Sequence, residues 1–302
     1  MLGRSTVAAL ATDFIAGEPP VAVHPTVWMG RWISRRRAER RSTGRAASLF
    51  EGACAVGGGI LVTAALSAAA QRLLEHAPSS IRGLADGVAL KPALSLRPLL
   101  DAASEVERAL ERGRLVEARR LLAWHLVSRD TTSLTRSEVA GAAIESVAEN
   151  LSDSLVGPLL AFRVGGLTAA YVYRFINTAD AMLGYHTDEL EWFGKVAART
   201  DDLANLAPSR ITAALICGAA VAGNGSPRNA ATVVLRDARL TASPNAGWPM
   251  SAMAGALGVR LTKRGHYVLN AAGAAPGFED IARCRYITLT AAAIAAVLCD
   301  LI

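Results

Sequence analysis

The chain has 302 residues, of which 52% are hydrophobic and 19% charged, with a mean hydropathy of +0.28. A soluble domain carries about 25% charged residues, so the shortfall points towards lipid; a very Ala-rich soluble helical protein is the other composition that produces it. Net charge is +6, and the four cysteines (Cys54, Cys217, Cys284, Cys299) form no CxxC pair, which excludes a thiolate metal site or a disulfide frame.

In chain order, the first apolar run covers 7–17 and is interrupted by Asp13. Gly17-Glu18-Pro19-Pro20 and His24-Pro25 follow. A lone histidine such as His24 reads first as a packing or capping residue. Arg31, Arg35, Arg36, Arg37, Arg40, Arg41 and Arg45 then crowd together with only Glu39 against them. Apolar runs on both sides make this a juxtamembrane loop rather than a nucleic-acid surface. The run 53–70 has no charge and is the best candidate span; its Gly57-Gly58-Gly59 predicts close helix packing. The run 84–100 is broken by Lys91, Pro92, Arg97 and Pro98. Between 99 and 130 the charges recur on one face, with Gly113 as a turn, which predicts a soluble helical hairpin. No alternating strand pattern of useful length is present. The expected fold is all-α: a multi-pass membrane protein, one domain over 1–302, with amphipathic and partly re-entrant helices around a polar site.

The polar residues concentrate between Glu145 and Arg210. Thr135 and Glu138 are spaced as a capping box that opens a helix. On that helix Glu145, Glu149 and Asp153 recur every four residues, flanked by Asn150. Three acids on one face repel one another. A hydrated Mg²⁺, arginines from elsewhere or plain solvent would each answer them. Next, Arg174, Asn177 and Asp180 share a face, and Tyr185 and His186 follow Gly184. Lys195, Arg199 and Asp202 recur at helical spacing, with Asp201 and Asn205 beside them. Pro208 is expected to end or kink that helix, and Arg210 heads the apolar run 206–222. These groups suit either Mg²⁺ and phosphate or ordinary ion pairing at a membrane surface. Arg236-Asp237 precede Ser243-Pro244-Asn245-Ala246-Gly247-Trp248-Pro249, a tight polar loop before a helix start. That arrangement is either an anion site or a structural turn. A last apolar run, 286–302, contains only Asp300. No Walker A loop, dinucleotide fingerprint, nucleophile elbow or zinc-spaced His/Cys set is present.

Four co-linear stretches carry a resemblance: HPTVWMGRWI at 24–33, AAIESVAENLSD at 142–153, YRFINTADAMLGYHTDELEWFGKVAARTDDLANLAPSRITA at 173–213, and RDARLTASPNAGWPMSAMAGALGVRL at 236–261. Together they resemble the CobD/CbiB family of cobalamin biosynthesis, the adenosylcobinamide(-phosphate) synthases. Two departures are Glu18, where the family usually has Asp, and Ser154, where Gly is common.

The resemblance implies an ATP-dependent amide ligase in the cell membrane. It would join a side-chain carboxylate of adenosylcobyric acid to aminopropanol or its O-phosphate, with ATP and Mg²⁺ as cofactors. A carboxyl phosphate attacked by a free amine is the chemically reasonable route; it needs cations over phosphate and a base for the ammonium proton. On that reading Glu145, Glu149, Asp153 and Asp202 are the catalytic candidates, and Glu149, Asp153, Asp201 and Asp202 the Mg²⁺ candidates. Substrate and phosphate would meet His24, Asn150, Arg174, Asn177, Asp180, Tyr185, Lys195, Arg199, Asn205, Arg210, Arg236, Asp237, Ser243 and Asn245. Implied partners are the corrinoid and aminopropanol (phosphate) substrates, membrane lipids and other cobalamin-assembly membrane proteins, with no nucleic acid. A corrinoid-binding or transporting membrane protein without catalysis is the alternative class.

Overall fold

A computed structural model describes residues 5–42, 44–184, 187 and 190–301. Tyr185 and His186 therefore lie outside the described residues. Helices follow one another in the order α1 (Ser5–Ala16), α2 (Pro25–Ala38), α3 (Arg45–Glu75), α4 (Ser79–Leu90), α5 (Arg97–Glu111), α6 (Leu115–His125), α7 (Arg136–Leu151), α8 (Gly157–Leu183), α9 (Lys195–Ala204), α10 (Leu206–Ala219), α11 (Pro227–Asp237), α12 (Gly247–Leu257) and α13 (Phe278–Leu301). Between α12 and α13, strands β1 (Leu261–Lys263) and β2 (Tyr267–Leu269) form a short antiparallel hairpin. The hairpin is too short to register as sequence alternation.

Four stretches are long and apolar enough to cross a membrane: Arg45–Glu75, Arg136–Leu183, Leu206–Gly223 and Phe278–Leu301. The protein is an all-α membrane protein. The run at 7–17 forms only the 12-residue α1, about 18 Å long and short of the roughly 30 Å hydrocarbon core.

The chain divides into two compact units. The first comprises 1–95, 157–205 and 296–302. Its core joins Met29 and Ile33 of α2, Ala55 and Val56 of α3, Phe175 and Ala179 of α8, and Ala197 of α9. Small residues set how closely these helices approach. A Cβ on Gly59 would lie 2.0 Å from the Phe175 ring, and one on Gly52 2.0 Å from the Phe193 carbonyl oxygen. Gly58 faces Trp32, while Gly57 faces nothing within 4 Å. Within α8 the backbone breaks at Gly165 and Gly166, where Gly166 has φ +65°. Only glycine takes that conformation cheaply. The first turn of α1 is capped from the far end of the chain: Asp300 accepts from the Thr6 amide at 3.0 Å and the Val7 amide at 3.1 Å. A carboxylate at a helix N-terminus satisfies two orphan donors and complements the dipole.

The second unit comprises 96–156 and 206–295. Helices α5 and α6 form a hairpin that turns at Gly113, with φ +74°. The capping box is present at α7, where the Thr135 hydroxyl accepts from the Glu138 amide and Glu138 returns to the Thr135 amide. After Leu151 the helix widens into a π turn over Ser152–Val156. Pro208 does not end α9, as its spacing suggested. The break falls at Asn205, and Pro208 sits in the first turn of α10, where its missing N–H costs no intrahelical bond. Pro249 takes the equivalent place in α12.

Candidate functional site

In the first unit, one polar cluster is built by α8 and α9. Tyr173, Arg174, Asn177 and Asp180 come from one stretch of α8, and Asp201 with Asn205 from the buried face of α9. The Tyr173 hydroxyl donates to the Asn205 carbonyl oxygen, and the Asn205 amide donates to Asp201 at 3.0 Å. Asn177 also hydrogen-bonds Asp201. Arg174 donates to Asn177 at 3.4 Å. Burial, and after it the charge of Asp180, push the Asp201 carboxyl up to about 7. Gly157 makes room for this cluster, since a Cβ there would lie 2.1 Å from the Tyr173 hydroxyl.

Asp202 and Arg199 pair with each other at 3.2 Å on the outer side of α9, where the Arg199 side chain is 71% exposed. Lys195 pairs with Glu191 and sits 5.4 Å from the Trp192 ring. Of the two consecutive acids, the structure therefore turns Asp201 inward and Asp202 outward. The spacing that selects Asp201 is Ala197, Asp201, Asn205, a four-residue repeat ending in a residue 1% exposed.

A second group in the same unit surrounds His24. The His24 Nδ1 accepts from the Thr26 amide at 3.2 Å, so Nε2 carries the proton and donates to Glu18 at 2.8 Å. Glu18 in turn lies 2.9 Å from the Lys91 ammonium, which also meets Asp13 at 3.3 Å. Asp13 is fully buried and Lys91 is 2% exposed. The sequence shows Asp13 and Lys91 only as interruptions of two apolar runs. Each is the other's partner, and buried charges persist when paired in this way.

In the second unit, Glu145 and Glu149 line a cavity of about 190 Å³ with Arg129, Ser146, Lys263 and Tyr267. Arg129 approaches Glu145 at 3.6 Å. The repulsion along the acidic stripe is thus answered from the segment after α6 and from the hairpin. Burial and the Glu145 charge raise the Tyr267 hydroxyl above its ordinary value. Asp153 does not line this cavity. It falls in the π turn, whose wider winding breaks the four-residue register that predicted a common face. Asn150 donates back to the Ser146 carbonyl at 2.9 Å. Among the described residues, no three His, Cys, Asp or Glu side chains gather closely enough to hold a metal ion.

Two further predicted groups lie in the second unit. Asn245 accepts from Ser209 and Arg210, both at 3.3 Å, while Ser243 accepts from the amides of Asn245 and Ala246 at 3.2 Å. The Arg210 guanidinium stacks 4.5 Å from the Trp248 ring. Arg236 forks onto Asp237 at 2.7 and 2.8 Å, and Asp237 accepts from the Asn270 amide at 2.7 Å. Asn270 holds φ +49° and ties its own amide to Ala254 and Val259. Asp237 thereby fixes the exit of the hairpin against α12. The Arg236 guanidinium and the Asn270 amide hold its carboxyl below the usual range, against burial, which pushes it up.

Helices long enough to span a bilayer, with buried carboxylates framed by amides and arginines, define a membrane protein built around polar chemistry. The sequence profile described as CobD/Cbib protein matches residues 6–295. The probable cobalamin biosynthesis protein CobD of Methanothermobacter thermautotrophicus is 39% identical, covering 86% of this chain and 84% of its own. The cobalamin biosynthesis proteins CobD of Dehalococcoides mccartyi (37% identical; 86% of this chain, 84% of that protein) and Brucella suis (36%; 84% and 79%) are similar across the same extent. No solved structure matches. The chain belongs to the CobD/CbiB family.

Proposed function

We propose that this protein acts in cobalamin biosynthesis as an amide-forming synthase of the cell membrane, crossing it several times. It joins aminopropanol, or its O-phosphate, to a side-chain carboxylate of adenosylcobyric acid at the expense of ATP. The observation that carries this reading is the Asp201 carboxyl, buried beside Asp180 and held near 7. An amine arrives as an ammonium ion and attacks only after losing a proton. A carboxylate that titrates near neutral pH accepts that proton far better than an ordinary one.

Asn177 and Asn205 orient Asp201, and Tyr173 orients Asn205 in turn. Arg174 on the same helix supplies positive charge for phosphate or carboxylate oxygens. Mg²⁺ would arrive bound to the phosphates of the nucleotide, since among the described residues no three acids gather to hold it in advance. Such an ion neutralises the charge of the transferring phosphoryl group.

The test is incubation of the purified protein with adenosylcobyric acid, either amine, ATP and Mg²⁺, with products read by mass spectrometry. An amide product that requires ATP is expected, and it is lost in Asp201→Asn. Retention of adenosylcobyric acid without product under all conditions would make the protein a corrinoid binder or carrier and overturn the proposal.

A further inference from the structure

The first unit carries an apolar slot that the proposed chemistry does not use. It has a volume of about 410 Å³ and runs along α3 from Gly59 to Ala70, walled by Trp28 and Trp32 of α2 and by Tyr171 and Phe175 of α8. Two of the hydroxyls in its wall are satisfied from within the protein: Ser67 donates to the Thr63 carbonyl at 2.6 Å, and Tyr171 to the Ala89 carbonyl at 2.7 Å. The eleven steps from Gly59 to Ala70 measure about 16 Å of helix, close to the roughly 15 Å depth of one leaflet.

At its Gly59 end the slot meets a different environment. Trp32 is the partition: its indole rests on Gly58, donates to the Ala55 carbonyl at 3.0 Å, and lines both sides. Beyond it lies a pocket of about 580 Å³ lined by Arg36, Arg40 and Arg41, with Glu39 and Glu51. Glu39 is bound by Arg35 and Arg36, and Glu51 by the amides of Arg41 and Ser42. The lining carries three guanidinium groups to two carboxylates, and the Arg36 guanidinium lies over the indole at 4.6 Å.

We propose that these two compartments form one binding site for an anionic phospholipid, with an acyl chain in the slot beside α3 and the phosphate headgroup against Arg36, Arg40 and Arg41. The order of the compartments along α3, ionic pocket first and apolar slot second, is that of a phospholipid seated in one leaflet. A slot of one leaflet's length walled mainly by apolar side chains is matched by an alkyl chain. An excess of arginine at its mouth is matched by a phosphodiester.

Native mass spectrometry of the full-length protein, released from micelles holding equimolar phosphatidylglycerol and phosphatidylcholine, tests this. One phosphatidylglycerol should be retained in preference to phosphatidylcholine by about five-fold or more, the effect of one net arginine charge near a membrane surface. Arg40→Glu with Arg41→Glu should abolish the preference while some lipid is still retained. Leu66→Trp should abolish retention of both lipids. Leu66 is 65% exposed, and Val62→Glu at a 44% exposed position in the same wall provides a second blocking variant. Equal retention of the two lipids by the wild type, or unchanged retention in both blocking variants, would overturn the proposal. So would a dimer that Leu66→Trp dissociates, which would assign the slot to a second copy. Displacement of the lipid by adenosylcobyric acid would assign it to the corrinoid and equally overturn it.

Discussion

Asn205 donates to Asp201 across one turn of α9 at 3.0 Å, and with Asn177 it fixes the direction in which the most perturbed carboxylate on that helix points. Asp201→Asn keeps the shape and removes the proton acceptor. Product formation is expected to fall by about 10²–10⁴-fold with corrinoid binding retained, measured by steady-state kinetics beside a binding isotherm.

The pH profile should follow Asp180. The wild-type rate is expected to climb as pH passes about 7 and Asp201 ionises. Asp180→Asn removes a negative neighbour, so Asp201 ionises more easily and the climb moves to lower pH. A profile unchanged by Asp180→Asn would count against the pairing. Stability carries the opposite sign. A carboxyl raised on folding contributes stability below its unfolded value near 4, and that contribution is lost as pH rises through about 7. The Asp201→Asn variant should therefore melt higher than the wild type at alkaline pH while being inactive.

Lys91→Met takes the ammonium away from the buried Asp13 and from Glu18. A loss of about 3–5 kcal/mol is expected, read as a lower melting temperature in detergent. Adding Asp13→Leu should recover much of it, because the cost lies in a buried carboxylate that has lost its ammonium neighbour. If the double variant is no better than the single one, Lys91 has another role.

Asp237 and Asn270 give an acid-sensitive lock. Asp237 is depressed on folding, so its contribution is complete above the ordinary carboxylate range and is lost as pH falls through the lowered value. Asp237→Ala should cost about 1–3 kcal/mol and speed hydrogen exchange in β2 at any pH. In the wild type that acceleration should appear only on acidification.

Gly57 and Gly59 stand two residues apart and should respond oppositely. Gly59→Ala drives a methyl into the Phe175 ring and should cost about 1–3 kcal/mol, with partial rescue by Phe175→Leu. Gly57→Ala meets open space, and the better helix former should be neutral or slightly stabilising. Paired thermal melts distinguish them.

What could be read from the sequence was whatever depends on local spacing. The long apolar run around Gly57–Gly59, the capping box at Thr135, the turn at Gly113 and the shared face of Arg174, Asn177 and Asp180 all follow from periods of three and four. Contacts between distant segments leave no such period. Lys91 is 78 positions from Asp13, and Lys263 is more than a hundred from Glu145, so both looked like isolated charges. The π turn at Ser152–Val156 also escaped, because its apolar pattern continues as if α-helical while its winding changes. The choice between Asp201 and Asp202 was available in principle, through the repeat to Ala197 and Asn205.

The cap that Asp300 places on Thr6 has a consequence for the order of events during synthesis. Tyr173 and Asn205 are 32 positions apart, so at about 5–20 residues per second the ribosome supplies the second within a few seconds of the first. Thr6 waits 294 positions for Asp300. Until then the first amides of α1 depend on water, chaperone or lipid headgroups, so that α1 is made well before it is sealed.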